Sequence, residues 1–349
     1  MLWKFRKELI QTLLRSGMEV TIGLPFGSHI QNLKDLGCEL INIPLDRRGT
    51  NPFREAALLR QYYRVVKTVK PDMVLTYSTK PNIYGGWVCR RLRVPYCTNI
   101  QGLSSAILKP GMSWFMAMLY RLGLKKAKTV FFENVGNADF FRDKKIVPAR
   151  QQTILPGAGI NLTYYSCQPY PRNDPIRFLF VGRMTKEKGV DELFDAIKML
   201  YDDCYEVRLD LVGFFDDIYQ EQIDSLHEAG IVFYHGFQED PRPFYAAADC
   251  VVLPSYHEGM SNILLEGAAT GRPVITSFIP GCREAVEHAV TGFTCRTRDK
   301  YGLYEAMRTV ASMSREERME MGLAGRKRME TYFDKQLVVE ETMNAIFRQ

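Results

Sequence analysis

Metal-binding and redox signatures are missing from this sequence. Its eight cysteines (Cys38, Cys89, Cys97, Cys167, Cys204, Cys250, Cys282 and Cys295) form no C-x-x-C pair, which removes the usual zinc and dithiol motifs. The five histidines are scattered without ligand spacing, and no two aspartates lie two positions apart, so no D-x-D motif offers carboxylates to a divalent cation. No apolar run approaches the roughly 18 residues of a membrane-spanning helix. The N-terminus carries Lys4, Arg6, Lys7 and Glu8 in place of a signal-peptide core. Reduced thiols in a cytosolic chain are the default for such cysteine usage. What remains is ordinary globular composition, 46% hydrophobic and 25% charged over 349 residues, enough for two domains of roughly 100–200 residues each.

Charge is present but unevenly placed. Residues 1–168 hold 25 Lys and Arg against 10 Asp and Glu, a balance of +15, and residues 169–349 hold 21 against 30, a balance of −9. A bias over a whole half points to an anionic surface met by the first half, where single charges would be only solvated faces. No nucleic-acid motif accompanies the basic half.

Periodicity predicts alternating helices and strands. Residues 2–16 read as a helix stopped at Gly17, 19–24 and 39–43 as strands, 53–70 as a helix with a basic stripe of Arg60, Arg64 and Lys67, then strands at 73–76, 96–100 and 130–132. The loop between 46 and 53 carries Arg47 and Arg48, and 78–82 reads as a loop. The stretch 109–128 is amphipathic, with Trp114, Phe115, Met118, Leu119 and Leu122 on one side and Lys125, Lys126 and Lys128 behind. It reads either as a core helix or as a helix touching a membrane surface through its exposed part. Residues 156–175 contain four prolines and read as the interdomain link. Strands at 177–181, 208–212, 232–234, 250–253 and 274–276 then alternate with helices, and 301–347 is helical. Repeated βα units imply parallel sheets covered by helices, with ligands at the carboxyl ends of the strands.

The most informative stretch is Leu253 to Gly267, LPSYHEGMSNILLEG. An apolar strand runs into a polar, glycine-containing turn and then a helix, whose N-terminus attracts anions. Gly259 lets a ligand approach the backbone. Glu258 and Glu266 stand eight positions apart, a little over two helical turns, and would face one side if the helix begins near Ser261. Carboxylates beside an anion site select hydroxyl donors, and hydroxyls next to phosphate describe a sugar nucleotide. A surface glutamate and a helical glutamate in a salt bridge would give the same spacing. Earlier in the same half, GRMTKEKG places Arg183 and Lys188 after a strand, paired donors and a point charge suited to a diphosphate.

These residues resemble the retaining glycosyltransferases of family 4. Glu258 and Glu266 match the E-x7-E motif, and GRMTKEKG matches G-R-x4-K-G. The likeness is strongest from Phe178 to Gly292. YSTKPNIYGG, FFENVGNADFF and PGAGINL resemble the subgroup acting on polyprenyl-diphosphate-linked sugars in surface polysaccharide assembly. The resemblance implies an α/β chain of GT-B fold, two Rossmann-like domains facing across a cleft. Residues 1–165 would bind the acceptor and 166–332 the nucleotide sugar, with a last helix over 333–349 for which a return to the first domain is open. It implies a hexosyl- or N-acetylhexosaminyl-transferase using a UDP-sugar and a lipid-linked or glycan acceptor, with no metal or other cofactor and no nucleic acid. The enzyme would work in the cytoplasm, peripheral to the anionic inner face of the membrane. Glu258, Arg183 and Lys188 are the implied catalytic residues. Gly182, Phe237, Gly259, Met260, Ser261, Asn262 and Glu266 are the implied donor-binding residues.

The sequence departs from the family in two places. Asn99-Ile100-Gln101-Gly102-Leu103 has no histidine where many relatives place one, so no catalytic role is assigned there. The chain also begins at what resembles the first helix of the fold, which carries the expectation of roughly 10–20 further upstream residues forming a first strand and its turn. A sugar-nucleotide epimerase or hydrolase of the same fold is the rival enzyme, and a nucleic-acid-binding protein the more distant alternative.

Overall fold

The computed structural model describes residues 2–27, 29–46, 49, 51–103, 107, 111–215 and 217–348. Arg47 and Arg48 of the basic loop, and Lys109 and Pro110 at the start of the amphipathic stretch, lie outside them. The chain forms two units, Met1–Ala158 with Gln336–Gln349, and Gly159–Lys335.

The first unit begins with α1 (Leu2–Arg15), β1 (Thr21–Leu24), α2 (Ile30–Asp35) and β2 (Glu39–Asn42). β1 and β2 pair in parallel as a sheet of their own, closed by Ile10, Ile22, Leu33 and Cys38. Next come α3 (Pro52–Val69), β3 (Val74–Tyr77), α4 (Gly86–Leu92), β4 (Tyr96–Ile100), α5 (Ser113–Leu124), β5 (Val130–Phe132), α6 (Val135–Asp143) and β6 (Gln152–Ile154). The strands β3-β4-β5-β6 make a second parallel sheet in that order. Local chemistry sets the helix starts. Asn51 accepts from the N–H groups of Phe53 and Arg54 with Pro52 in the first turn of α3, and Asn134 accepts from Asn137 N at 2.8 Å to open α6. Every residue of β4 is buried, as a strand covered on both faces must be.

One face of the β3–β6 sheet packs against α3, α4 and α5 through Val66, Val88, Tyr120 and Leu124. On the other, Val338 and Ile346 of the last helix, α13 (Lys335–Phe347), pack against Cys97, Phe131 and Leu155. The buried face of α5 is Ala117, Tyr120, Gly123 and Leu124. Trp114, at 71% exposure, Phe115 and Leu122 lie outside it. Arg121, Lys125 and Lys126 are exposed beside them, as are Arg60, Arg64 and Lys67 of α3 and Arg91 and Arg93 at the end of α4. α4 lies in contact with both α3 and α5. No helix among the described residues is long and apolar enough to cross a membrane.

The second unit contains β7 (Ile176–Val181), α7 (Val190–Asp202), β8 (Val207–Val212), α8 (Gln220–Glu228), β9 (Val232–Tyr234), α9 (Arg242–Ala247), β10 (Cys250–Leu253), α10 (Asn262–Ala269), β11 (Val274–Ser277), β12 (Gly292–Cys295), α11 (Lys300–Ser312) and α12 (Arg315–Arg328). Its sheet runs β12-β11-β10-β7-β8-β9, with every pair parallel. Strand order reverses at β7, whose neighbours are β8 and β10, and that is where such sheets bind ligands.

Three local readings change. Residues 78–82 are not a loop: Pro81–Gly85 is a π-helical turn feeding α4. β6 and β12 are further strands: Gln152-Thr153-Ile154 and Gly292-Phe293-Thr294-Cys295 lack the apolar run that marks the similarly short β5 and β9. The helical stretch 301–347 is three helices, its first break marked by Ser314, which opens α12 in a capping box with Glu317.

Arg272 fastens the second unit from within. It is fully buried. Its guanidinium donates to six carbonyls, those of Tyr245, Gln168, Thr270, Gly271, Pro169 and Ala246, at 2.7–3.3 Å. The bonds tie α9 and the end of α10 to the segment entering the unit. Loss of water around the cation pulls the Arg272 pKa down. Arg272→Met keeps the apolar stem and removes the donors. With each stranded buried carbonyl costing about 1–3 kcal/mol, a loss of at least ~3 kcal/mol in urea unfolding is expected. A loss under ~1 kcal/mol would mean that the carbonyls find other partners.

Candidate functional site

Five loops leave the carboxyl ends of β7 to β11, and backbone contacts hold them together. Gly189 ends the loop after β7 with φ +71°, and a Cβ there would stand 2.1 Å from the carbonyl oxygen of Pro254 in the loop after β10. Tyr256 N donates to Glu187 O at 2.8 Å across the same pair of loops. Gly281, after β11, has φ +86° and would place a Cβ 2.2 Å from Gly259 O, while its own carbonyl accepts from Ser261 N at 2.9 Å. Only glycine satisfies both demands at these positions.

Lys188 and Glu258 meet in this nest. The Lys188 ammonium donates to Glu258 Oε1, and both side chains are mostly shielded from water, with exposures of 23% and 14%. Ser255, fully buried, donates its hydroxyl to the same carboxylate oxygen at 2.8 Å. Arg183 is exposed next to Gly182, at the end of β7. Ser261 precedes α10 without capping it, and its buried hydroxyl has no hydrogen-bond partner among the described residues. The first-turn N–H groups of α10 therefore carry no side-chain cap, which leaves the positive end of the helix open to an anion. Met260 is buried beneath the turn and Asn262 is half-buried at its edge.

Glu258 and Glu266 have different surroundings. Glu258 lies in the loop and Glu266 in the second turn of α10, since the helix starts at Asn262. Glu266 accepts from Tyr245 OH at 2.8 Å and is hydrogen-bonded by Tyr165. Burial first, and then the Glu266 carboxylate, push both phenols well above their ordinary pKa. Phe237, in the loop after β9, is exposed and stacks on the exposed Phe214 after β8, with ring centroids 4.8 Å apart and planes within 6°.

Ser255, Tyr165, Tyr245 and Phe214 escaped the sequence reading. Ser255 could have been found, as a hydroxyl three residues before Glu258 in one turn. The tyrosines carry no local signal, because they reach Glu266 from distant elements. Among the described residues no group of three His, Cys, Asp or Glu side chains is placed to hold a metal ion.

Two family profiles match this chain, one described as "Glycosyl transferases group 1" over residues 175–313 and one as "Glycosyl transferase 4-like" over residues 2–134. The fold aligns with a glycosyltransferase from Rickettsia africae at a TM-score of 0.81 and 18% identity, covering 99% of this chain and 95% of that one. It aligns with Anabaena HepE, solved with UDP and glucose, at 0.78 and 18%, covering 98% and 95%. Fold and family profiles together define a glycosyltransferase of GT-B architecture. A curated relative from Campylobacter jejuni, the N,N'-diacetylbacillosaminyl-diphospho-undecaprenol alpha-1,3-N-acetylgalactosaminyltransferase, is 27% identical over 93% of this chain and 89% of its own length. The chain belongs to glycosyltransferase family 4.

A Cβ at position 189 would drive the β7 and β10 loops apart. Misplacing a site by about 1 Å can cost on the order of 100-fold in rate, so Gly189→Ala is expected to reduce glycosyl transfer by about that factor and to lower Tm. Wild-type turnover in this variant would show that the loops separate without consequence.

Proposed function

We propose that this enzyme moves a hexose or N-acetylhexosamine, with retention of configuration, from a UDP-sugar to a polyprenyl-diphosphate-linked acceptor in cell-surface polysaccharide assembly. The observation that carries the reading is the joining of Lys188, in the loop that Arg183 opens, to Glu258, ahead of the uncapped start of α10. This set offers cations and N–H groups to a diphosphate, with a carboxylate next to them for sugar hydroxyls. The Campylobacter relative, named for a diphospho-undecaprenol acceptor, and the UDP-bound Anabaena neighbour support the substrate classes.

In this mechanism the bond between the anomeric carbon and the diphosphate oxygen breaks, and its electron pair stays on UDP. Arg183, Lys188 and the first-turn N–H groups of α10 stabilise that growing charge, the largest catalytic contribution in such sites. The acceptor oxygen attacks from the same face and passes its proton to the departing phosphate oxygen. Glu258 holds hydroxyls of the donor sugar, Glu266 those of the ribose, and Phe237 borders the nucleotide.

Glu258 partly compensates the Lys188 charge, which sharpens the test. Glu258→Ala is expected to lower turnover about 100-fold or more while UDP affinity holds or rises. Lys188→Ala and Arg183→Ala should weaken both. Isothermal titration with UDP and turnover by mass spectrometry measure this, and near-normal turnover in all three variants defeats the assignment. Incubation with donor alone separates transfer from epimerisation or hydrolysis, which need no acceptor.

We also propose peripheral attachment to the anionic inner face of the cytoplasmic membrane. Support comes from the exposed Trp114, Phe115 and Leu122 of α5, with the exposed bases of α3, α4 and α5 in adjoining helices. Each basic side chain near such a surface contributes about 1 kcal/mol, and salt screens it. Co-sedimentation with phosphatidylglycerol vesicles should fall as salt rises and weaken in Trp114→Ala. Binding indifferent to salt, or none at low salt, counts against this attachment.

A further inference from the structure

A cavity of about 250 Å³ opens in the second unit where the entering segment meets α9 and the end of α10. Its volume falls below the ~300–1,000 Å³ typical of drug-sized ligands, leaving room for one small ring. Tyr164, Tyr165, Ser166, Gln168, Asp240 and Arg242 line it. None of these residues belongs to the loops that carry Arg183, Lys188 and Glu258.

The lining is polar without free charge. Asp240 takes both Nε and Nη2 of Arg242, at 2.8 and 2.6 Å, a bidentate pair that holds the Asp240 carboxyl below its ordinary pKa. Arg242 in turn lies 3.9 Å from the centroid of the Tyr164 ring. A phosphate would meet an arginine already compensated and a carboxylate that repels it, and a cation would meet the converse. Hydrogen-bonding capacity is left over. Gln168 gives its amide N–H to Ser166 Oγ at 2.8 Å, which leaves the amide oxygen as an acceptor and the serine proton as a donor. Tyr164 and Tyr165, edge to face at 5.1 Å, add aromatic surface. Neutral donors and acceptors beside aromatic rings, in a space for one ring, suit a polyhydroxylated ligand.

We propose that this cavity binds a neutral sugar residue of a glycan, beside the loop after β9 and apart from the loops that carry Lys188 and Glu258. Tyr165 both lines the cavity and hydrogen-bonds Glu266, so an occupant touches the side chain that fixes that carboxylate. The site would hold a growing or finished glycan on the transferase. Recognition of a glycan agrees with the function proposed above but does not depend on the roles given to Glu258, Arg183 or Lys188.

Saturation-transfer NMR on the full chain with glucose, N-acetylglucosamine and N-acetylgalactosamine as probes tests it. Binding with a Kd on the order of millimolar is expected, retained in Glu258→Ala and weakened about tenfold in Gln168→Ala and in Tyr164→Ala, with UDP affinity unchanged in both cavity variants. Both residues are near the surface, and a preserved Tm confirms folding. Signal lost in Glu258→Ala but kept in the cavity variants would assign the sugar to the donor loops and overturn the proposal. Absence of signal in the wild type, or tighter binding of glucose 6-phosphate than of glucose, overturns it as well. Failure of the donor-site reading appears instead as unaltered turnover in the Arg183, Lys188 and Glu258 variants.

Discussion

The second unit depends on the contact between Gly189 and the carbonyl of Pro254. Two loops from adjacent parallel strands, β7 and β10, can share one site only if their backbones approach closer than side chains allow. The glycine removes the Cβ that would stand 2.1 Å from that oxygen and accepts a positive φ in the same place. Gly281 repeats the arrangement against Gly259 O, one strand further along the sheet. Loops fixed by backbone cannot drift with the rotamers of their side chains. The charged groups they carry are therefore positioned before any ligand arrives, which is how electrostatic sites avoid reorganisation when charge develops.

Charge in this unit is managed locally and against its overall sign. Residues 169–349 are net acidic, yet the edge at the switch point presents Arg183, Lys188 and the open start of α10. Glu258 is held by Lys188 and Ser255, and Glu266 by two phenols that burial keeps protonated. Buried Arg272 is solvated by carbonyls, and buried Arg6 is paired with Glu133 at 2.7 Å, because an unpaired ion in the interior is too costly to keep.

The first unit is built on the same βα grammar with a different outer face. The apolar sides of α3, α4 and α5 converge on the β3–β6 sheet, and that leaves their basic and aromatic residues outward together. The amphipathic stretch around Trp114 allowed two readings. In the structure Ala117, Tyr120 and Leu124 are buried and Trp114, Phe115 and Leu122 are exposed. Sequence spacing alone could not separate them, because a helix with apolar residues on both sides has no single stripe.

What the sequence determined by itself was the βα alternation, the helix stop at Gly17, and the family, through G-R-x4-K-G and E-x7-E. These are matters of local periodicity, capping and motif spacing, each contained within one or two elements. It also marked Arg183, Lys188, Glu258 and Glu266 as candidates. Tertiary structure decided the rest. Lys188 and Glu258 are seventy positions apart and meet only because β7 and β10 are neighbours in the sheet. Tyr245 reaches Glu266 across 21 positions, and Tyr165 reaches Glu266, as Arg272 reaches Gln168 and Pro169, across more than 100. No local pattern encodes such meetings, since strand order and close backbone contact, set by packing of the whole unit, bring those atoms together.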